Sequence, residues 1–464
     1  MTTTAHIQTL LPAVAMLALL VGLGGCGGGA STTPTPGTDV NQAPPLAHTQ
    51  GITLSAAAAS PTKATMSWTG SSAPGDKFQV YRNGELDSSA TGDSTSAADT
   101  GLAPGTQYCY QVSVANSTGA GMASSNQSCL TTAPLAGWDI RIIKQAPPLS
   151  LALDAQSLER IGFCTAAGVI YQARQTDDTW NTAQVDAGAA CFNTSLAVGG
   201  DGSSHMIYLD GNSNALKYAT DVSGRWSVSP IPGTEGAQFY SMVLDSGNHV
   251  HIAYVFFTGM APNCYQIVYT SNASGDWQST VVAELQAYPV IAVDGSGAPH
   301  IAYVDGEASS GPYPVHYLTA TSSGWTDSVV ATSADAKSLA ALAVDSAGHT
   351  HLVYKSGVDL DYVSDVSGTW KTEQVESFDA AGPQNDRYGA YDVSIDLDTS
   401  GLPHLSYEDT DGNLKYAVQS QGKWSTRYVD TEGRENEIRV DQAGHAHIAY
   451  ANTENLYSKL AVSP

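Results

Sequence analysis

Between residues 134 and 464, apolar and polar positions alternate in short runs, and the same order of runs returns seven times. A unit opens on an apolar run and turns through Asp-x-x-Gly-x-x-His-x-x-Tyr. It then passes through a second and a third run and reaches a tryptophan that starts a fourth. Alternation with period two predicts half-buried strands, so each unit predicts four of them. Asp and Gly predict the tight turn between the first two, because the carboxylate caps backbone N–H groups and glycine accepts positive φ. Clear copies of the turn run Asp294 to Tyr303, Asp345 to Tyr354, Asp398 to Tyr407 and Asp441 to Tyr450. Asp245 to Tyr254 carries Asn248 in the glycine position, and the copy ending His205-x-x-Tyr208 carries Gly199 in place of Asp. The first copy is worn to Asp154-x-x-Ser157-x-x-Arg160-x-x-Phe163.

The period sets the architecture. Roughly 330 residues over seven units gives about 47 each, the size of a four-stranded propeller blade. Trp180, Trp226, Trp277, Trp325, Trp370 and Trp424 open fourth strands, but the seventh unit stops after Leu456-Tyr457 without one. Gly137-Trp138-Asp139-Ile140-Arg141-Ile142-Ile143 has the form of such a strand standing alone ahead of the first unit. The pattern predicts an all-β chain whose residues 134–464 form a seven-bladed β-propeller, closed by an N-terminal strand pairing with the last blade. Closure of that kind removes exposed edges. His, Tyr and Trp recurring once per unit are expected to fill the space between sheets. Six histidines spread round a ring are therefore scaffold rather than a catalytic or metal cluster.

Residues 51–133 form a separate small domain of short alternating runs. These include Ala64-Thr65-Met66-Ser67-Trp68, Phe78-Gln79-Val80-Tyr81 before the turn pair Asn83-Gly84, and Tyr110-Gln111-Val112-Ser113-Val114. The segment resembles a fibronectin type III β-sandwich. Trp68 matches that family's core tryptophan, and Leu102, Pro104 and Tyr108 match its tyrosine corner. The resemblance implies that Cys109 and Cys129 lie on the adjacent sixth and seventh strands, where a disulfide can join them. Its expected role is a spacer.

The first 50 residues have no such pattern. Leu10 to Leu23 is an apolar run ending in Gly24-Gly25-Cys26, too short to span a bilayer comfortably. Leu23-Gly24-Gly25-Cys26 resembles the lipobox of bacterial lipoproteins, although no Lys or Arg precedes the run. The resemblance implies that residues 1–25 are a signal peptide and that Cys26 is lipidated. With Gly27 following the cysteine, it also implies an outer-membrane or cell-surface address. Residues 26–50, rich in Gly, Ser, Thr and Pro, read as a tether. A net charge of −25, from 44 acidic and 19 basic residues, argues against nucleic acid and anionic headgroups as partners. The remaining cysteines suit an oxidising compartment. Cys164 and Cys191, both in or beside the first blade, are the preferred pair, which leaves Cys264 free.

Function is expected where the copies differ. The connections between second and third strands, and between blades, share one face, and the long insertions fall there. Phe256, Tyr313, Asp386, Arg387, Tyr388 and Tyr391 on that face are candidate ligand-binding residues, because rings stack on pyranoses while carboxylates, amides and guanidinium groups take hydroxyls. The leading expectation is a monomeric, surface-anchored binding or adhesion module for a glycan or a protein. An envelope scaffold without a small ligand is an alternative. A second alternative is a glycan-cleaving enzyme, because the repeat resembles, at superfamily level, the sialidase and BNR-like repeats. Asp379, Asp386, Glu432, Glu435 and Glu437 would be its candidate carboxylates. Departures from that family count against catalysis: the Ser-x-Asp-x-Gly-x-Thr-Trp box is missing in that form, and arginines on the expected face are few, with Arg387 and Arg434 the best placed. No cofactor is expected. Asp409-Thr410-Asp411-Gly412-Asn413 lacks the twelfth-position Glu of a calcium loop and reads as a hairpin turn.

Overall fold

The computed structural model describes residues 51–464 apart from 71–75, 92–93, 116–120, 136, 145–148, 260–264, 286, 307–310, 335–339, 379–392 and 453–456. Every regular element among the described residues is a β-strand. In the small domain, Thr53–Ser60, Lys63–Thr69 and Ser96–Thr100 form one sheet. Glu85–Thr91, Lys77–Arg82, Gln107–Ala115 and Gly121–Ser124 form a second, with Ser128–Thr131 also paired to Gln107–Ala115. The expected seventh strand is thus broken in two, and Cys129 stands on the second piece, directly opposite Cys109 and bonded to it. Leu54, Met66, Trp68, Phe78, Val112 and Leu130 fill the space between the sheets. The Tyr108 hydroxyl accepts the Ala103 N–H at 3.0 Å, which forms the tyrosine corner. Asn83 and Gly84 both take positive φ, as the two-residue hairpin turn requires.

From residue 139 onward the described strands form seven four-stranded antiparallel sheets, I to VII, of which I to VI are hydrogen-bonded in sequence order. Sheet I comprises Leu149–Leu153, Glu159–Thr165, Gly168–Arg174 and Trp180–Ala187. Sheets II to VI span 191–230, 237–283, 290–333, 340–377 and 393–430. Sheet VII comprises Arg434–Val440, Ala446–Asn452 and Tyr457–Val462, and its fourth strand is Asp139–Lys144 from the other end of the chain.

The repeated residues explain the repeated sheets. In the turn before His300, the Asp294 carboxylate accepts the N–H groups of Ser296 and Ala298 at 2.8 and 2.9 Å, and Gly297 takes φ +84°. Burial opposes the charge on Asp294, but these donors hold the carboxyl down to about 2. Asn248 and Ser157, which replace the glycine elsewhere, also take positive φ, so the turn survives the substitution. The histidine Nδ1 of sheets II to VI lies 2.5–2.7 Å from a third-strand tyrosine hydroxyl, as in His205–Tyr218 and His404–Tyr416. That tyrosine packs edge-on against the tryptophan of the following sheet in Tyr171–Trp226, Tyr218–Trp277, Tyr269–Trp325, Tyr317–Trp370 and Tyr362–Trp424. Trp138 completes the series against Tyr416 at 5.3 Å, in the place of a fourth-strand tryptophan for sheet VII. Burial pushes the imidazoles of His205, His251, His351 and His404 down, so they are neutral packing groups at neutral pH.

Sheets VII and I meet differently. Leu460 stands where other sheets have the tyrosine, and it packs with Leu151, Ile161, Phe163 and Trp180 of sheet I. His447 Nδ1 reaches instead to Glu159 of sheet I at 2.8 Å. Leu151 N–H donates to Glu437 at 2.7 Å. A disulfide between Cys164 and Cys191 joins sheets I and II. Cys26 and Cys264 lie outside the described residues.

Candidate functional site

Antiparallel order puts the second-to-third and inter-sheet connections of every sheet at the end opposite the Asp-x-x-Gly turns. At that end of sheets II to IV, aromatic side chains are left in solvent. Phe192 is 65% exposed, Phe257 45% and Phe239 43%. A buried core absorbs rings wherever it can, so three exposed phenylalanines at one end are informative. Phe239 meets Tyr288 edge-on at 4.4 Å, and Phe257 lies 5.1 Å from Tyr265. The Phe192 ring lies over Gly211, where a Cβ would come within 2.7 Å of it. The Tyr240 hydroxyl donates to Asn193 O at 2.7 Å and accepts Leu209 N–H at 3.0 Å, which ties the Phe239 strand to the Phe192 strand.

Phe239 also has φ +43°. It is the extra residue of a β-bulge between Gln238 and Tyr240 in the first strand of sheet III. A phenylalanine in the left-handed region is rare and costs about 1–3 kcal/mol, and bulges re-aim side chains. Glu435 takes φ +51° in the corresponding bulge of sheet VII. Sheet II is irregular at the same level, between Cys191 and Thr194.

Several sequence-predicted residues are drawn into strands or ion pairs. Phe256 is half-buried in a strand and packs in the Ala237–Ile252–Tyr254 cluster. Tyr313 begins a strand and packs beside Val304 and Val315. Glu435 and Glu437, two of the candidate carboxylates, belong to the first strand of sheet VII, Arg434–Val440. Glu437 is held by Arg439 and by Leu151 N–H, and Glu432 accepts Lys459 Nζ at 3.1 Å. These two carboxylates are structural ion-pair members. Asp379, Asp386, Arg387, Tyr388 and Tyr391 lie outside the described residues. Asp409 accepts N–H groups from Asp411 and Asn413 at 2.9 Å, the bonding of a hairpin turn. Among the described residues, no three His, Cys, Asp or Glu side chains are placed to hold a metal.

Sequence reasoning missed Phe192, Phe239 and Tyr288. A signal existed at two of them. The adjacent aromatics Phe239-Tyr240 break period-two alternation, as a bulge does, and Phe192 follows Cys191 in a strand where both cannot face inward.

No curated protein matches the chain. Among solved structures, the fucose-specific lectin of Aleuria aurantia aligns at 14% identity and TM-score 0.43, covering 63% of this chain and 98% of the lectin. An auxiliary nutrient binding protein of Bacteroides ovatus aligns at 9% identity and TM-score 0.40, covering 89% of this chain and 99% of that one. The polysaccharide lyase Uly1 aligns at 9% identity and TM-score 0.43, covering 71% and 90%. At the level of family, residues 49–129 of this chain match the fibronectin type III domain.

Proposed function

We infer that this protein binds carbohydrate on the loop end of sheets II to IV, with Phe192, Phe239, Phe257 and Tyr288 as stacking surfaces. The observation that carries the reading is Phe239: a solvent-exposed ring held in an unfavourable backbone conformation beside a second ring. Strain of that kind persists where the position of the side chain is worth more than the strain costs. Aromatic faces supply the apolar contact a pyranose needs, and neighbouring amides such as Asn193 and Gln238 suit its hydroxyls.

In this reading the seven sheets form a closed seven-bladed propeller, supported by the Asp139–Lys144 pairing and the packing of sheet VII on sheet I. The domain at 51–133 is a spacer, and lipidation at Cys26 holds the protein at the outer membrane or cell surface. The engagement of Glu432 and Glu437 in ion pairs takes these two carboxylates out of the set open to a glycan-cleaving role. The test is a glycan array probed with the protein and with Phe192→Ala/Phe239→Ala/Phe257→Ala. Binding that the triple variant loses while keeping its melting temperature supports the reading. Binding that the triple variant retains moves the site off this face, and no binding at all sinks the reading.

A further inference from the structure

One position in each sheet varies, and between sheets IV and V the variation leaves a gap. It is the third-strand residue paired in register with the tyrosine of His-x-x-Tyr. In sheets II, VI and VII it is Lys217, Lys415 and Lys459. Each lysine reaches a carboxylate on the fourth strand of the preceding sheet. Lys217 meets Asp186 at 3.0 Å, Lys459 meets Asp430 at 2.9 Å, and Lys415 meets Glu376. The paired tyrosine donates to the same carboxylate: Tyr208 to Asp186, Tyr407 to Glu376 and Tyr450 to Asp430. Tyrosine, lysine and carboxylate together plug the space between neighbouring sheets.

Sheet V carries Asp361 at the lysine position, opposite Tyr354. On sheet IV, the residue in register with Asp186, Glu376 and Asp430 is Ala331. The cation has become an anion, and the carboxylate has become a methyl group. A cleft of about 480 Å³ stands where the plug would be, lined by Val329, Ala331, Thr332, Tyr354, Asp361 and Thr372. Asp361 is half-buried and has no hydrogen-bond or ion-pair partner among the described residues. Burial and the nearby Asp359 carboxylate push its carboxyl up to about 6, which reflects the missing counter-charge. The cleft falls in the size range of small-ligand sites.

We propose that the cleft between sheets IV and V binds the primary ammonium group of a small polar molecule, with Asp361 as its counter-ion and the hydroxyls of Tyr354, Thr332 and Thr372 beside it. The ligand's ammonium group takes the place that Lys217, Lys415 and Lys459 fill elsewhere in the same chain. An amino sugar and an alkylamine carry this group alike. The site is independent of the aromatic face and stands whether or not that face binds a glycan.

The test is calorimetric titration of the full chain with glucosamine, N-acetylglucosamine and 1,5-diaminopentane. At least one of the two ammonium probes is expected to bind, and the neutral N-acetylglucosamine to bind at least about tenfold more weakly or not at all. Binding of glucosamine alone assigns the site to amino sugars, and binding of the diamine alone assigns it to alkylamines. Asp361→Asn is expected to lose about tenfold or more in affinity with its melting temperature maintained or raised. The double variant Asp361→Lys/Ala331→Glu rebuilds the plug and is expected to fold and bind neither probe. Failure of both ammonium probes to bind overturns the proposal. So does equal binding of glucosamine and N-acetylglucosamine, or undiminished binding by a folded Asp361→Asn or by the double variant.

Discussion

Glu159→Gln is expected to weaken the junction between sheets VII and I more than any comparable change weakens another junction. The Glu159 side chain is fully buried. Arg174 Nη1 donates to both its oxygens at 2.9 and 3.0 Å, and His447 Nδ1 lies 2.8 Å away. Arg174 also bonds Asp178, which in turn meets Arg141 on the Asp139–Lys144 strand. That outer part is exposed to solvent and screened, and it contributes little. The buried part decides the outcome. Taking the charge from one member of a buried, hydrogen-bonded ion cluster costs about 3–5 kcal/mol, because the neutral amide no longer balances the guanidinium and leaves Arg174 with only the exposed Asp178 as counter-charge. The comparison is Tyr362→Phe, which removes a neutral bond to His351 at an internal junction and costs about 1–2 kcal/mol. Urea unfolding gives the midpoints. Hydrogen exchange shows where opening occurs, with Leu149–Leu153, Glu159–Thr165 and Ala446–Asn452 expected to lose protection first in Glu159→Gln. Burial opposes ionisation of Glu159, yet His447, a backbone N–H and Arg174 hold its carboxyl below the usual range of 4.5. Its contribution is therefore present above pH 4.5 and lost as pH falls through the lower folded value, so the gap between wild type and variant should shrink in acid. A midpoint shift no larger than that of Tyr362→Phe, or protection lost evenly across all seven sheets, would falsify the claim that this cluster holds the junction.

Asp361 has the opposite sign. Its folded carboxyl lies near 6 against 3.8 unfolded, facing Asp359 and the Tyr354 phenol, so it opposes folding increasingly from about pH 4 and fully above pH 6. Asp361→Asn should gain about 1–2 kcal/mol at pH 8, after allowing for partial solvent screening, and nothing at pH 3.5; a gain independent of pH refutes the assignment. Phe239→Gly exchanges relief of left-handed strain, about 1 kcal/mol, for loss of the Tyr288 ring contact, also about 1 kcal/mol. Its melting temperature should barely move while glycan binding falls, whereas a large loss of stability would make the ring structural. Cys164→Ala/Cys191→Ala opens a loop spanning 27 positions, a loss of about 3.5 kcal/mol by chain entropy. Equal melting of the double variant and the parent under oxidising conditions would count against a stabilising bridge.

The fold was legible where sequence expresses backbone requirements. Asp-x-x-Gly encodes a turn through a carboxylate and a positive φ, and the structure keeps that turn even with Asn248 or Ser157 in the glycine position. Trp138 could be matched to the tryptophans of the repeats because an inter-sheet space of fixed shape asks for the same ring each time. The pairing of Asp139–Lys144 with Tyr457–Val462 follows from the same repeat, since the last unit lacks its fourth strand. Less legible was the level of each residue within its strand. Phe256 and Tyr313 look like loop aromatics, but the strands extend far enough to draw them half into the core. Glu437 looks like an acidic loop residue, but it caps Leu151 N–H across a junction. Exposure of Phe239 depends on a one-residue bulge, and a bulge flips every position beyond it, so alternation alone assigns the ring to the wrong face.

Repeats make departures quantitative, because each copy is a control for the others. The residue in register with the His-x-x-Tyr tyrosine, or with Phe163 in sheet I, is Ile170, Lys217, Val268, His316, Asp361, Lys415 or Lys459. Lysine occurs where the preceding sheet supplies Asp186, Glu376 or Asp430, and never where that place is Ala283 or Ala331. Desolvating an ammonium group is tolerable only with its partner present, so the two positions are chosen together. His316 answers Ala283 with a ring stacked on Tyr303 at 4.9 Å, and it finds Asp327 within its own sheet at 2.9 Å. Val268 answers by being apolar. Asp361 follows neither solution: it is shorter than lysine, carries the opposite charge and faces a methyl group. Replacement of a lysine without function would be expected to give an apolar or aromatic residue, as at the two preceding junctions. A carboxylate in a cleft where no described residue answers its charge is instead the arrangement a cationic ligand requires.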